Sequence, residues 1–143
     1  MDTFLRTVIF PVGPACDASA DWILLVLRIV FGTLLLIHGT QKILGYKTLK
    51  TAFHDPIGLG AVTSLRLAIF AEFFCSLGVI TGLLFRLALI PLIVTMGVAG
   101  FIVLRKAPWL QRELPISYFL VFLLLMVAGP GRWSLDYLVC SWL

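Results

Sequence analysis

Charge is what this chain has least of. Of 143 residues only 13% are charged, seven of them acidic, while 61% are hydrophobic and the mean hydropathy is +1.08. Soluble domains carry about 25% charged and roughly 45–50% apolar residues, and one of this size buries only about two-thirds of its surface. So much apolar surface excludes a water-soluble globule and leaves an integral membrane protein, read here as a single domain over residues 1–143. Histidine and cysteine are scarce too. Two histidines, one of them (His54) in a loop, supply neither an i, i+4 metal pair nor bis-histidine haem ligation, and no metal site is expected. Cys16, Cys75 and Cys140 form no CxxC and no zinc spacing. Cys75 reads as a packing residue. Cys16 and Cys140 fall near the termini on one side, either as a disulfide, if that side is oxidising, or as two unpaired thiols. P-loop, GxGxxG, HExxH and Ser/His/Asp patterns are all missing. The net charge of +4 is too small, and the basic residues too scattered, for nucleic acid.

Long apolar runs are what remains. Four stretches, about 21–43, 62–84, 87–104 and 114–129, approach the ~20 residues that a ~30 Å hydrocarbon core requires of a helix. Gly45, Pro56, Gly58 and Gly60 break the first loop, Arg86 marks a tight second turn, and Arg105 to Pro115 form the third. The short second and third connections force antiparallel neighbours, so the expected fold is an all-α, up-down four-helix membrane bundle. Within the first loop Tyr46, Leu49 and Phe53 recur on one helical side, with Lys47, Lys50 and His54 on the other, which predicts a short interfacial helix. Gly129-Pro130-Gly131 stops the last span, and the Trp- and Tyr-rich tail from Ser134 to Leu143 is expected at the opposite interface. Phe4 to Phe10, interrupted by Arg6 and stopped by Pro11, is too short for a secretory core and reads as an interfacial arm.

Lipid is thus the first partner. Seven basic residues (Lys42, Lys47, Lys50, Arg66, Arg105, Lys106, Arg112) share one side, against three (Arg6, Arg86, Arg132), or four with Arg28 from inside the first span, on the other. That excess predicts a cytoplasmic first loop and both termini outside.

Charges inside the spans need a reason, because each costs a few kcal/mol or more in lipid. Arg28, Gly32, Leu35, Gly39 and Lys42 follow one line along the first span, and Ala68, Ala71, Cys75, Gly78 and Gly82 form a small-residue stripe beside Glu72 in the second. Glu72 falls near the midplane, with Arg28 roughly 7–8 Å off it by the ~1.5 Å rise per residue. A guanidinium stem spans that gap, so Arg28–Glu72 is the expected buried pair, either structural or functional. His38, Arg66, Lys42 and Tyr118 are expected at one depth as a second, cationic cluster suited to an anion or to quinone carbonyls. Snorkelling to lipid phosphates is the competing reading for Arg66 and Lys42.

The segments LLVLRIVFGTLLLIHGTQKILG (Leu24 to Gly45), AEFFCSLGVITGLLFRLALI (Ala71 to Ile90) and GPGRWSLD (Gly129 to Asp136) closely resemble the DoxX family of small bacterial inner-membrane proteins. That family is named for likeness to a membrane subunit of a thiosulfate:quinone oxidoreductase, and some members are associated with thiol-redox partners. The resemblance marks Arg28, His38, Gly39, Lys42, Glu72, Arg86, the Gly129-Pro130-Gly131 turn, Ser134 and Asp136. It implies a redox-associated subunit, accessory or catalytic, whose interior pocket takes a quinone head group or small anion. Glu72 and His38 would then handle protons, and Arg28, Lys42, Arg66 and Tyr118 would bind ligand. Redox enzyme subunits or further copies of the chain are the protein partners it suggests. A small transporter or lipid-binding protein, and a structural partner without a site, are the alternatives.

Overall fold

Four helices dominate the computed structural model, which describes residues 18–53, 55 and 58–142. They are α1 (Ser19–Leu44, begun by Ala18), α3 (Ala61–Thr81), α4 (Phe85–Val103) and α5 (Trp109–Ala128), each long and apolar enough to cross a membrane. Short α2 (Tyr46–Ala52) follows α1, and α6 (Leu135–Trp142) ends the chain. Among the described residues all regular structure is helical, and the chain is a multi-pass membrane protein. The N-terminal arm, Cys16 and its disulfide alternative, His54 and Pro56 lie outside the described residues.

The bundle is apolar outside as well as in. Leu34, Phe74, Val94, Leu124 and Val127 are exposed on their spans, as helices solvated by lipid require. Of the four, α3 is the most enclosed, with 39% of its most apolar window buried against 22% for each of the others. Neighbours run antiparallel, as the close approaches show: Gly39 meets Glu72 and Gly32 meets Ile80 across α1–α3, while Gly78 meets Ala88, and Gly100 meets Ile116, across the next two interfaces. Leu35, Val79, Phe85, Leu89, Leu92, Phe122 and Leu125 form the shared core.

Two boundaries differ from the sequence reading. The α3–α4 turn lies at Gly82–Leu84, so Arg86 belongs to α4 and is not the turn. Gly82 adopts φ +70°, and a Cβ there would stand 2.6 Å from the Ser134 Cβ, so both conformation and space call for glycine. Pro115 lies inside α5, not in the third loop: Pro108 precedes Trp109 and the helix starts there. A proline within the helix forfeits one backbone bond, which membrane-spanning helices tolerate because neighbouring groups satisfy the freed carbonyl.

At the end of the bundle where α1 begins, the tail docks through a set of polar contacts. Arg28, 1% exposed, donates from Nη1 to the Pro130 carbonyl and from Nη2 to the carbonyls of Trp133 (3.0 Å) and Ile80 (3.3 Å). The Phe85 ring lies 5.6 Å below the guanidinium. Ser134 caps α6 by accepting the Tyr137 N–H at 3.2 Å. Asp136 accepts the N–H groups of Leu84 and Phe85, each at 2.8 Å, and so caps α4 as well. Asp21 accepts the Arg132 N–H at 3.1 Å. The Gly-Pro-Gly and Ser-Leu-Asp residues are therefore the parts of one latch across α1, α3 and α4. Trp22 and Trp133 pack at 5.3 Å beside it, and Trp109 stands exposed at the opposite end, the two levels at which aromatic belts sit.

At that opposite end Asp55 accepts the N–H groups of Gly60 (2.7 Å) and Leu59 (3.0 Å) and the Ser64 hydroxyl (3.0 Å). These bonds, Gly60's foremost, hold its carboxyl below the usual carboxylate range.

Candidate functional site

Glu72 does not meet Arg28. Its backbone packs against Gly39, where a Cβ would stand 2.8 Å from the Glu72 carbonyl carbon and the Phe73 nitrogen. Arg28 is eleven residues from Gly39, roughly 16 Å along the helix at ~1.5 Å per residue. The expected pair assumed that the two spans are level at their centres. The glycine contacts instead set Arg28 beside Gly82 and leave Lys42 beside Glu72.

Lys42, in the last turn of α1, donates from Nζ to Glu72 Oε1. The lysine side chain is 26% exposed and the glutamate 3%, so this is an ion pair reached from one side. Lys42 Nζ also lies 6.0 Å from the centre of the Phe53 ring. The second carboxylate oxygen, Oε2, is buried and has no hydrogen-bond partner among the described residues. A buried, unmatched acceptor costs about 1–3 kcal/mol, and more when charged, which makes it the first place to expect a ligand or water.

Next to the pair opens a cavity of about 440 Å³ between α2, α3 and α4. Leu49, Phe53, Leu67, Ala68, Val94, Val98 and Ala99 supply apolar wall, and Lys42, Glu72, Ser64 and Thr95 the polar points. Leu67 and Val94 are half-exposed, so the cavity has an edge toward the surrounding lipid. Both facing helices widen here. Phe70–Cys75, carrying Glu72, and Val98–Val103, carrying the wall residues Val98, Ala99 and Val103, are π-helical. Such turns are rare and recur at functional sites.

The predicted cationic cluster does not form. His38 is exposed on α1, about 100° round the helix from Gly39, and is not on the cavity wall. Arg66 is exposed and donates from Nε to Tyr46 Oη at 3.1 Å. Tyr118 is buried in a T-shaped pair with Phe31, ring centres 5.6 Å apart, within the core. Only Lys42 and Glu72, of the proposed proton- and ligand-handling residues, share a site. The sequence reading missed the α4 wall, since Val94, Thr95, Val98 and Ala99 carry no mark distinguishing them from lipid-facing residues. It also missed Lys42 as the partner, although Gly39 lies one turn before it.

The seam supports a graded prediction. At Gly39 an added methyl meets backbone at 2.8 Å, whereas at Gly32 it meets the Ile80 side chain, Cγ1 at 2.6 Å, which can shift by rotation where backbone cannot. Gly39→Ala should therefore cost about 1–3 kcal/mol by overpacking and impair the site, with Gly32→Ala milder. Thermal unfolding of the two variants in the same detergent checks the order.

The DoxX family profile matches residues 23–105, which include Arg28, Gly39, Lys42 and Glu72 and end before the tail latch. The uncharacterized membrane protein Rv3486 of Mycobacterium tuberculosis (strain ATCC 25618 / H37Rv) is 32% identical over 127 residues, covering 77% of each chain. No solved structure matches.

Proposed function

This chain belongs to the DoxX family of membrane proteins, and from that premise we propose that it is a redox-associated membrane subunit that holds a quinone head group in the cavity beside Lys42 and Glu72. The observation that carries this reading is a buried carboxylate with one oxygen on Lys42 and the other unpartnered, on the wall of a mostly apolar cavity. An apolar wall suits a ring and its chain better than it suits a free anion, whose charge Glu72 would oppose. Lys42 Nζ can donate to a quinone carbonyl. Glu72 can accept a hydrogen bond from a quinol hydroxyl and exchange a proton with it. Electrons would come from redox partner subunits.

Purified protein should bind a quinone analogue, and Glu72→Gln should weaken that binding at least 10-fold while circular dichroism keeps its helical signal. Equal affinity in the variant would reject the reading. A second reading is favoured by the Gly39–Glu72 backbone contact: the ion pair serves only to fix the register of α1 on α3. The two are separated in the Discussion.

The membrane is proposed to be the bacterial cytoplasmic membrane, with the basic end, which carries α2 and the α4–α5 loop, inside. Single cysteines placed at Lys50 and at Ser141, in a background with Cys16, Cys75 and Cys140 replaced by serine, should label oppositely in intact cells. The Ser141 thiol should react with an impermeant maleimide and the Lys50 thiol only after lysis; the reverse pattern would invert the topology.

A further inference from the structure

A second groove shares no residue with the Lys42–Glu72 cavity. It is an open groove of about 420 Å³ between Ile43 at the end of α1, Tyr46 at the start of α2, and Arg66, Ile69, Phe70 and Phe74 of α3. Arg66, Phe70 and Phe74 are spaced by four, so they lie along one helical face. Arg66 stands five residues from the start of α3, roughly 7 Å along its axis, and Phe74 lies roughly 12 Å deeper. The cation thus lies toward the end of α3 where the helix begins, with an aromatic floor running along the helix away from that end. Phe70 and Phe74 are 51% and 58% exposed, their rings 6.0 Å apart.

The guanidinium is held, not loose. Arg66 Nε donates to Tyr46 Oη at 3.1 Å, which biases its orientation and leaves both Nη groups to donate elsewhere. Two parallel N–H donors match a phosphate as a lysine ammonium cannot. Lys47 and Lys50, exposed on the neighbouring α2, add attraction for a headgroup with net negative charge. We propose that this groove is a binding site for one anionic phospholipid, its phosphate on Arg66 and an acyl chain along Ile69, Phe70 and Phe74. Free snorkelling of Arg66 would need neither the Tyr46 bond nor the groove.

Native mass spectrometry of the full chain in a neutral detergent, titrated with phosphatidylglycerol or phosphatidylcholine, tests it. Wild-type protein should retain one phosphatidylglycerol at least 10-fold more tightly than phosphatidylcholine. Arg66→Gln should abolish the preference, and Tyr46→Phe should reduce it several-fold. The Lys47→Gln/Lys50→Gln double variant should reduce it, but far less than Arg66→Gln does. Phe74→Ser should weaken the lipid while leaving any binding of soluble glycerol phosphate as it was. Arg66 is exposed, so its variant should fold, and circular dichroism checks that. The proposal is overturned by an Arg66→Gln protein that keeps the preference, or by equal loss in the lysine variant, which would mean diffuse surface attraction. Glycerol phosphate competing as well as the lipid, or a second copy of the chain displacing it as a dimer forms, would overturn it too.

Discussion

Replacing Arg28 with methionine is expected to destabilise the bundle by about 3–5 kcal/mol, because three backbone carbonyls lose a charged donor. Methionine keeps most of the stem volume, so little of the loss comes from a cavity. The loss comes from three backbone carbonyls, of Pro130, Trp133 and Ile80, that have Arg28 as donor. Each such acceptor left dry costs about 1–3 kcal/mol. Arg28→Lys keeps a cation but loses the planar fork, so it should recover about half. Thermal unfolding in detergent reads the first effect, with a drop on the order of 10 °C. Limited proteolysis reads the second, since α6 should be cut before any span. An Arg28→Met protein that melts like wild type would show that the tail docks without the guanidinium.

That prediction depends on a contact the sequence could not disclose. The four spans are legible because crossing lipid imposes a composition, and any helix that does so displays ~20 apolar residues in a row. The relative height of two spans imposes no composition. Depths counted from span ends set Arg28 within reach of Glu72; the register that forbids it is fixed by Gly39 lying on the Glu72 backbone. The signal was present in the glycine line of α1, but which α3 residue each glycine meets is a tertiary fact. The α3–α4 turn was misplaced for a related reason. Leu83, Leu84 and Phe85 look like continuing span, and only the left-handed φ of Gly82 (+70°) and Leu84 (46°) breaks it.

The site was half legible. A carboxylate in the middle of an apolar run announces itself, and Lys42 lies on the line that faces it. Depth alone groups His38 and Tyr118 with the pair and angle separates them: His38 is exposed, off the seam, and Tyr118 packs in a T-shaped pair with Phe31 in the core. Cavity walls made of valine, alanine and leucine are invisible in a membrane sequence, where the same residues also face lipid. The tail motif was recognisable as a pattern, yet its work is mechanical: Asp136 caps α4 and Ser134 caps α6.

Whether the Lys42–Glu72 pair is kept for stability or for chemistry can be decided by removing it in two ways. Lys42→Met alone leaves the Glu72 carboxylate, 3% exposed, without its cation, and should cost about 3–5 kcal/mol. Lys42→Met with Glu72→Leu replaces the pair by apolar residues of similar size, an exchange that is often neutral or stabilising by about 1–4 kcal/mol. The double variant should therefore unfold at or above the wild-type temperature, while the single variant unfolds far below it. If the pair only set the register of α1 on α3, the Gly39 contact would preserve that register and the double variant would keep every function of the protein. On the quinone reading it should fold well, stay in the membrane, and fail to bind the quinone analogue. A double variant that is stable and still binds the analogue would remove the ion pair from the site. One that unfolds like the single variant would show that the two charges hold α1 against α3 in a way apolar packing cannot replace.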